Sequence, residues 1–225
     1  MNNQSREQKE EFEMSFLLPK TRNEILNLGI MGGTFDPIHM GHLVTAEVAR
    51  QQFKLDHVIF IPAGIPPHKD IKTINNAEHR YLMTLLAVVD NPYFTVSRLE
   101  IDNNQPSYTI DTVRRFYEIY NGKLNLYFIT GADAILDITT WKDYKELLNT
   151  CCFIAASRPG YSLSKLKDVL GPLSPEITKK IKLLEIPAMA ISSTFIRRRV
   201  AEGKTIKYLT PESVEQYIYK NRLYV

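Results

Sequence analysis

The chain has 225 residues, of which 44% are hydrophobic, so it can bury one full core, and we expect one domain with a small appendage rather than two domains. Its 28 basic and 25 acidic residues leave a formal charge of +3, which permits anionic substrates but gives no argument for a nucleic-acid partner. No apolar run approaches the ~20 residues of a membrane span and the N-terminus is polar, so we expect neither a membrane partner nor a standard secretion signal.

The predicted elements alternate between strands and helices after a polar N-terminal extension over residues 1–24. Within residues 25–225, the domain proper, apolar runs predict strands over residues 25–30, 58–61, 94–96, 124–129, 153–156 and 181–186. Segments of helical period predict helices over residues 41–53, 77–90, 109–121, 143–148, 164–169, 193–203 and 211–221. Thr210 is the expected cap of the last helix, with Pro211 in its first position. This alternation predicts an α/β fold, a doubly wound parallel sheet that binds ligands at the carboxyl ends of its strands.

The segment GGTFDPIHMGHL, residues 32–43, follows the first predicted strand and is the most informative part of the chain. Gly32 and Gly33 predict a tight turn in which the backbone approaches a ligand with no Cβ in the way. The helix that follows directs its unpaired amides and positive dipole end at any anion placed there. His39 and His42, three residues apart, are expected to point to the same side. The segment therefore predicts a phosphate-binding site.

Other sites with histidines or glycines fit this chain less well. A structural zinc site needs about four ligands, and the remaining histidines, His57, His68 and His79, form no second ligand pair. The adjacent Cys151 and Cys152 lack CxxC spacing; they suggest reduced thiols and therefore a cytoplasmic location. The glycine segment matches neither GxGxxG nor GxxxxGK[ST], which argues against a dinucleotide oxidoreductase and a P-loop enzyme.

The HxGH pair after GGTFDP resembles the signature of the nucleotidylyltransferase superfamily, whose members transfer a nucleoside monophosphate from a triphosphate onto a phosphate or an alcohol. Residues 191–197, ISSTFIR, resemble the second motif of that superfamily, a Ser/Thr turn plus Arg at the start of a late helix. The resemblance implies a Rossmann-like nucleotidylyltransferase fold with a C-terminal helical segment. It also implies that ATP is bound by Gly33, Thr34, Phe35, His39, His42, Ile191, Ser192, Ser193, Thr194 and Arg197, with His39, His42 and Arg197 catalytic.

The run Arg197, Arg198 and Arg199 could suggest a nucleic-acid patch. On a helix, however, consecutive residues point about 100° apart, so the three cannot form one face. We assign only Arg197 to the site. The other two are expected to contact solvent or another subunit, which leaves a homo-oligomer open.

The segments after the other strands point to one group within the superfamily. They are a proline loop ending in His68 and Lys69, the Tyr108–Thr109 pair, Asp133 after a Gly-Ala turn, and Trp141–Lys142. In this order they resemble those of bacterial nicotinate mononucleotide adenylyltransferases, over roughly residues 25–222. The resemblance implies ATP and nicotinate mononucleotide as substrates and deamido-NAD and pyrophosphate as products. Because no acidic cluster resembles a two-metal site, we expect no protein metal site and Mg²⁺ that arrives bound to ATP.

The mononucleotide is expected to contact Gly32, His68, Lys69, Tyr108, Thr109, Trp141 and Lys142, and Asp133 to fix the ATP ribose. Trp141 offers a flat face for a pyridine ring, and Thr109 offers a hydroxyl and helix-start amides to a carboxylate. Each residue also has a purely structural alternative: Trp141 in the core, Thr109 as a helix cap, Asp133 capping a turn and Lys69 solvated in its loop.

Two other functions stay open at this point. Phosphopantetheine adenylyltransferases share the HxGH pair, although the chain length, the proline loop and the pairing of Tyr108–Thr109 with Trp141 argue against that substrate. A nucleotide-binding sensor that has lost catalysis is the alternative from another class, and the intact His39, His42 and Arg197 argue against it.

Overall fold

The computed structural model describes residues 25–67, 70–157, 179–187 and 189–225. A six-stranded sheet runs through them in the order β3-β2-β1-β4-β5-β6, and each neighbouring pair is parallel. The strands are β1 Leu26–Gly33, β2 His57–Pro62, β3 Phe94–Val96, β4 Leu124–Gly131, β5 Cys152–Ser157 and β6 Ile181–Glu185. Each predicted strand is present with slightly different ends, so the predicted doubly wound α/β fold is confirmed.

The described helices are α1 Met40–Gln52, α2 Ala77–Val88, α3 Thr109–Ile119, α4 Ala132–Leu136, α5 Tyr144–Thr150, α6 Ser193–Ala201 and α7 Glu212–Lys220. The short α4 and the 3₁₀ turns Ile71–Thr73 and Ile138–Thr140 were not predicted, because a periodic pattern needs more residues than they have. Helix α7 begins one residue later than predicted, since Pro211 is its N-cap. The helix predicted over residues 164–169 and the extension 1–24 lie outside the described residues.

Two apolar clusters cover opposite faces of the sheet. Along β2, alternate side chains divide between them: Ile59 and Ile61 join the cluster that contains α3, while Val58 and Phe60 join the one that contains α1, α2 and α6. Every residue of β2 is buried, as expected for a parallel strand with helices on both faces. Within the described residues, no helix is both long and apolar enough to cross a bilayer.

The strand order reverses between β1 and β4, since the chain passes from β1 outward to β3 and then returns to β4. The loops that leave these two strands diverge, and a crevice opens between them at the carboxyl ends of the strands. The HxGH segment follows β1 and Asp133 follows β4, so the topology brings both to this crevice.

The predicted turn at Gly32 and Gly33 was wrong. Both glycines are the last residues of β1, where they pair with Ile61 and Pro62 of β2. The chain turns over residues 34–38 instead, with Phe35 at a φ of 49° and a cis peptide bond before the proline. A Cβ on Gly33 would lie 2.9 Å from the Phe35 ring, so a glycine is needed there for side-chain packing. A Gly-Gly pair indicates that other atoms come close to the backbone. The sequence does not show whether the reason is a tight turn or, as at Gly33, a side chain packed against a strand.

Gly64, in the loop after β2, offers a test of how tightly the site loops are packed. A Cβ on Gly64 would overlap the carbonyl oxygen of Glu100 and lie 2.9 Å from its carbonyl carbon. The Gly64 amide donates to Ser107 Oγ at 3.0 Å and its carbonyl accepts from Arg80 at 3.1 Å, so the backbone cannot move away freely. We expect Gly64→Ala to lower the free energy of unfolding by about 1–3 kcal/mol in urea titrations, because of overpacking.

Gly131→Ala is the matched control. Among the described residues nothing lies within 4 Å of a Cβ built there, and the φ of Gly131 is −69°, which alanine adopts freely. Its free energy of unfolding should change by about 0.5 kcal/mol or less. Equal losses in the two variants would contradict this account of Gly64.

Candidate active site

The loop of residues 34–38, between β1 and α1, is largely buried, and its main-chain carbonyls accept hydrogen bonds from side chains far away in the sequence. The pairs are Arg80 Nη1 to Thr34 O at 2.8 Å, Arg197 Nη1 to Asp36 O at 2.8 Å, Ser193 Oγ to Pro37 O at 2.8 Å and Thr210 Oγ1 to Ile38 O at 2.9 Å. Buried carbonyls need such partners, because an unpaired one costs about as much as a lost hydrogen bond. These donors therefore hold the loop in one shape.

Asp36 is the buried acid of this loop, with 2% of its surface exposed. Its carboxylate accepts from the Asn75 amide at 3.2 Å, from Asn75 Nδ2 at 3.0 Å and from the Tyr224 hydroxyl at 2.7 Å. A buried carboxylate is stable only when such donors replace water. The carboxylate thus joins the segment before α2 and the C-terminal turn to the loop.

Arg80 of α2 is 1% exposed and binds main-chain carbonyls of three segments. It donates to Thr34 O, to Gly64 O at 3.1 Å and to Asn75 O at 3.0 Å. Burial lowers the pKa of the Arg80 guanidinium, while the negative charge of Asp36 acts in the opposite direction. Arg80 stays charged, since an arginine does not lose its proton in proteins.

The two histidines of the HxGH segment lie together at the start of α1. His39 is the N-cap residue of α1, and its ring stacks on that of His42 with centroids 3.7 Å apart, as their three-residue spacing predicts. The His39 amide donates to His42 Nδ1 at 3.2 Å, so neutral His42 carries its proton on Nε2. The edge of the Phe35 ring packs against His42, with centroids 5.1 Å apart.

His39 is buried, with 8% of its surface exposed, and among the described residues its Nδ1 has no hydrogen-bond partner. Burial lowers the pKa of His39 to about 4, so without a nearby anion the ring is neutral at pH 7. The arrangement is close to a capping box, in which the His39 side chain faces the backbone amide of His42, although no full hydrogen bond to Nδ1 forms.

The start of α6 lies against the same loop. Ser192 caps the helix by accepting from the Phe195 amide at 3.1 Å, while Ser193 reaches Pro37 O and Arg197 reaches Asp36 O. Arg197 also donates to Thr194 Oγ1 at 3.3 Å. The two motifs of the sequence are thereby joined by direct hydrogen bonds.

The next two arginines point elsewhere. The guanidinium of Arg198 lies 5.6 Å from the centre of the Phe195 ring and is exposed. Arg199 Nε donates to Thr205 O at 2.7 Å. Ile191, just before the helix, packs against the apolar cluster of α1, α2 and α6.

A cleft of about 490 Å³ lies between the segment that starts α3 and the segment after α4. It is lined by Pro67, Ser107, Tyr108, Thr109, Ala134, Asp137, Thr140, Trp141 and Lys142. The structure thus brings together four of the residues predicted to bind the mononucleotide, Tyr108, Thr109, Trp141 and Lys142.

Within the cleft, Trp141 is half-buried and packs edge-on against Phe128 and Phe153, with ring centroids 5.8 and 6.3 Å away. It therefore belongs to the wall of the cleft and to the edge of the core at once. Thr109 is the first residue of α3 and Tyr108 its N-cap. Lys142 Nζ lies 2.8 Å from Asp111 Oδ2, so its charge has a partner already.

The other predicted residues divide by position. Asp133 is exposed in the first turn of α4, directly after β4. Gly32 is the penultimate residue of β1 and lies beside the Phe128 ring, to which a Cβ would come within 3.4 Å. His68 and Lys69 lie outside the described residues.

Sequence reasoning missed Arg80, Asn75 and Tyr224 and gave Asp36 no role of its own. Arg80 could have been noticed, because it falls on the buried stripe of α2 with Met83, Thr84 and Ala87. A charged residue on an apolar stripe indicates a paired buried cation. Asn75 and Tyr224 carry no comparable signal, since their partners are distant in the sequence.

Among the described residues, no group of three or more His, Cys, Asp or Glu side chains is placed to hold a metal ion. The basic side chains around the 34–38 loop are suited to anionic oxygens rather than to a metal. The residues present thus fit a metal that is carried by the phosphates of a nucleotide.

A family model described as cytidylyltransferase-like matches residues 30–199. A protein of Thermoanaerobacter sp. (strain X514), named "Probable nicotinate-nucleotide adenylyltransferase", is 56% identical over 199 residues, which are 88% of this chain and 94% of that protein. One of the same name from Moorella thermoacetica (strain ATCC 39073 / JCM 9320) is 58% identical over 197 residues, 88% of this chain and 91% of that protein.

Among solved structures, the Plasmodium falciparum nicotinic acid mononucleotide adenylyltransferase complexed with NaAD superposes with a TM-score of 0.70. The match covers 88% of this chain and 97% of that one at 22% sequence identity, so the two chains share a fold. The family match and the identities above 50% carry the assignment. The chain belongs to the cytidylyltransferase-like family and, within it, to the nicotinate-nucleotide adenylyltransferases.

Proposed function

We propose that the chain transfers the adenylyl group of ATP to nicotinate mononucleotide, giving deamido-NAD and pyrophosphate, at the site around residues 34–42 and 192–197. The observation that carries this assignment is the hydrogen bond from Arg197 to Asp36 O, which joins the HxGH segment to the start of α6. It gathers His39, His42, Arg197 and two helix N-termini at one edge of the sheet. Such a site suits a polyphosphate.

The reaction is a direct in-line displacement. A phosphate oxygen of the mononucleotide attacks the α-phosphorus of ATP, a new P–O bond forms, and the bond to the β-phosphate oxygen breaks with release of pyrophosphate. The attacking phosphate is already ionised at neutral pH, because its second pKa is about 6. No general base or covalent intermediate is needed, and the protein acts by positioning and by stabilising charge.

His39, His42 and Arg197 are the proposed donors to the triphosphate. The His39 ring is buried and neutral in the free enzyme, and nearby phosphate charge would raise its pKa from about 4 toward protonation. The backbone of Gly33, Thr34 and Phe35 lies on the same edge. We place the adenine beside Ile191–Thr194, with Asp133 at the ribose.

The 490 Å³ cleft is the proposed place of the mononucleotide. Its pyridine ring would lie on the exposed part of Trp141, with the carboxylate at Tyr108 and Thr109 near the start of α3. Lys142 contributes a charge shared with Asp111. Gly32, His68 and Lys69 are the proposed contacts for the mononucleotide phosphate and ribose.

Mg²⁺ is proposed to enter with ATP, where it neutralises charge on the phosphate oxygens. A cytoplasmic location and the absence of nucleic-acid and membrane partners stay predictions of the sequence, and the oligomeric state stays open. Pyrophosphate release from ATP, with nicotinate mononucleotide, nicotinamide mononucleotide or phosphopantetheine as acceptor, tests the function. Release with phosphopantetheine alone, or with none of them, would overturn the proposal.

The first prediction concerns His42. We expect His42→Ala to lower kcat roughly 10²–10⁴-fold while ATP binding changes far less, because a preorganised donor of the transition state is lost. His42 also accepts from the His39 amide, so His42→Gln is a second variant: glutamine at this helix position can provide the same acceptor.

The His42→Gln variant should keep the thermal midpoint and still lose most of kcat. Activity close to that of the unmodified enzyme in His42→Gln would mean that His42 only caps α1. His79 Nδ1 lies 2.8 Å from the Tyr217 hydroxyl of α7, away from the proposed site, so His79→Ala is the control for removing an imidazole and should leave kcat of the folded enzyme unchanged.

The second prediction compares neighbouring arginines. Arg197→Ala should lower kcat/KM for ATP about 10- to 100-fold, since a charged hydrogen bond is worth about 1.5–3 kcal/mol. Arg198→Ala, whose guanidinium is exposed over Phe195, should leave kcat/KM within about twofold. Steady-state kinetics with varied ATP measures both, and equal losses would contradict the assignment of Arg197 alone to the site.

The third prediction is a preference for the acid over the amide mononucleotide. Amides and a hydroxyl at a helix start donate to a carboxylate, whereas a carboxamide directs its own N–H donors at some of them. One unpaired group costs about 1–3 kcal/mol, so we expect roughly 5- to 150-fold higher kcat/KM for the acid from one mismatch and more from two. Comparable kcat/KM values for the two would refute the preference and leave the adenylyl transfer standing.

The same substrates separate the roles of two cleft residues. Thr109→Val should reduce kcat/KM for the acid more than for the amide, while Thr109→Ser keeps the hydroxyl and serves as control. Trp141→Leu should weaken both mononucleotides alike, because stacking does not depend on the pyridine substituent. A Trp141→Leu effect on one mononucleotide only would contradict this geometry.

A further inference from the structure

The C-terminal turn after α7 brings Tyr224 to the loop of the site. Arg222 and Tyr224 both have left-handed backbones, with φ of 50° and 69°, and between them Leu223 is buried at 7% exposure. Non-glycine residues adopt this conformation only where the surrounding structure requires it. The turn anchors Leu223 in the core and directs the Tyr224 side chain inward.

The Tyr224 hydroxyl donates to Asp36 Oδ1 at 2.7 Å. Burial, followed by the negative charge of Asp36, raises the pKa of this phenol, while Arg197 and Arg80 act in the opposite direction. The phenol is therefore protonated at any ordinary pH and serves as a donor only. Asn75 is the other residue that donates to this carboxylate among the described residues.

Asp36 links Tyr224 to the proposed ATP site through its carboxylate and its main-chain carbonyl. Its side chain accepts from Tyr224, and its main-chain carbonyl accepts from Arg197 Nη1 at 2.8 Å. Because Tyr224 helps to hold the Asp36 side chain, the Asp36 backbone is restrained and its carbonyl keeps one direction. The Arg197 guanidinium that binds this carbonyl is therefore held as well. Among the described residues, loss of the Tyr224 bond would leave the Asp36 carboxylate held by Asn75 alone, and would loosen the backbone whose carbonyl binds Arg197.

We propose that Tyr224 is a positioning residue for adenylyl transfer, which acts through Asp36 on Arg197. This inference rests on the proposed function, since it assumes that Arg197 binds the ATP phosphates. It gives the C-terminal turn a part in ATP use that is separate from the packing of Leu223.

The test is Tyr224→Phe in the full chain, which removes the hydroxyl and keeps the ring. We expect kcat/KM for ATP to fall about tenfold, while the KM for nicotinate mononucleotide stays within about twofold, because its cleft lies away from Arg197. Tyr219→Phe, an exposed tyrosine on the last turn of α7, is the control and should leave both constants unchanged. Unchanged kcat/KM for ATP in Tyr224→Phe would overturn the proposal.

A double-mutant cycle separates positioning from a general loss of structure. In an Arg197→Ala background, Tyr224→Phe should lower kcat/KM for ATP by less than about twofold, because the group it positions is gone. If the tenfold effect persists in that background, or if both substrates are affected in proportion to the folded fraction, Tyr224 does not act through Arg197.

ATP affinity measured by calorimetry distinguishes a failure of the proposed adenylyl transfer from a failure of the proposed role of Tyr224. If the unmodified enzyme releases no pyrophosphate with any acceptor, the proposed function fails by itself. The affinity of Tyr224→Phe for ATP then decides this inference: affinity about tenfold weaker than that of Tyr219→Phe supports it, and equal affinity overturns it.

Discussion

The structure of the site depends on the hydrogen bonds that satisfy the buried carbonyls of residues 34–38. This loop cannot form a ladder or a helix, so its carbonyl groups take donors from α2, from the start of α6 and from the segment before α7. Each of these donors belongs to an element with its own place in the core. These hydrogen bonds offset the free-energy cost of burying the loop carbonyls. They also hold distant parts of the chain close to the start of α1.

Charge in this region is arranged so that the free enzyme tolerates a cluster of basic groups. Asp36 offsets the buried Arg80, and burial keeps His39 neutral at pH 7. Arg197, which is half-buried, uses part of its guanidinium to bind the loop. The site thus avoids repulsion between cations before a ligand binds, and phosphates would then favour the charged form of His39. This charge arrangement would favour a nucleotide at the proposed site.

The two proposed substrate regions are held by the same hydrogen-bonded support. Loop residues after β2 and β3 are joined by a bridge between Ile65 and Pro106 and by the Ser107 amide, which donates to Ile65 O at 2.9 Å. Arg80 binds Gly64 in the first of these loops as well as Thr34 in the loop after β1. One guanidinium therefore binds both the loop of the HxGH segment and the loop that supports the wall of the cleft.

The sequence by itself determined the order of strands and helices, because period and turn residues are local properties, and it located the HxGH segment, ISSTFIR and the cleft residues Tyr108, Thr109, Trp141 and Lys142. It misassigned Gly32 and Gly33, since a glycine pair does not specify which atoms approach it. Only the tertiary structure decided that Asp36, Asn75, Arg80 and Tyr224 support the site. Their hydrogen bonds join residues that are up to 188 positions apart, and no local pattern encodes such a pairing.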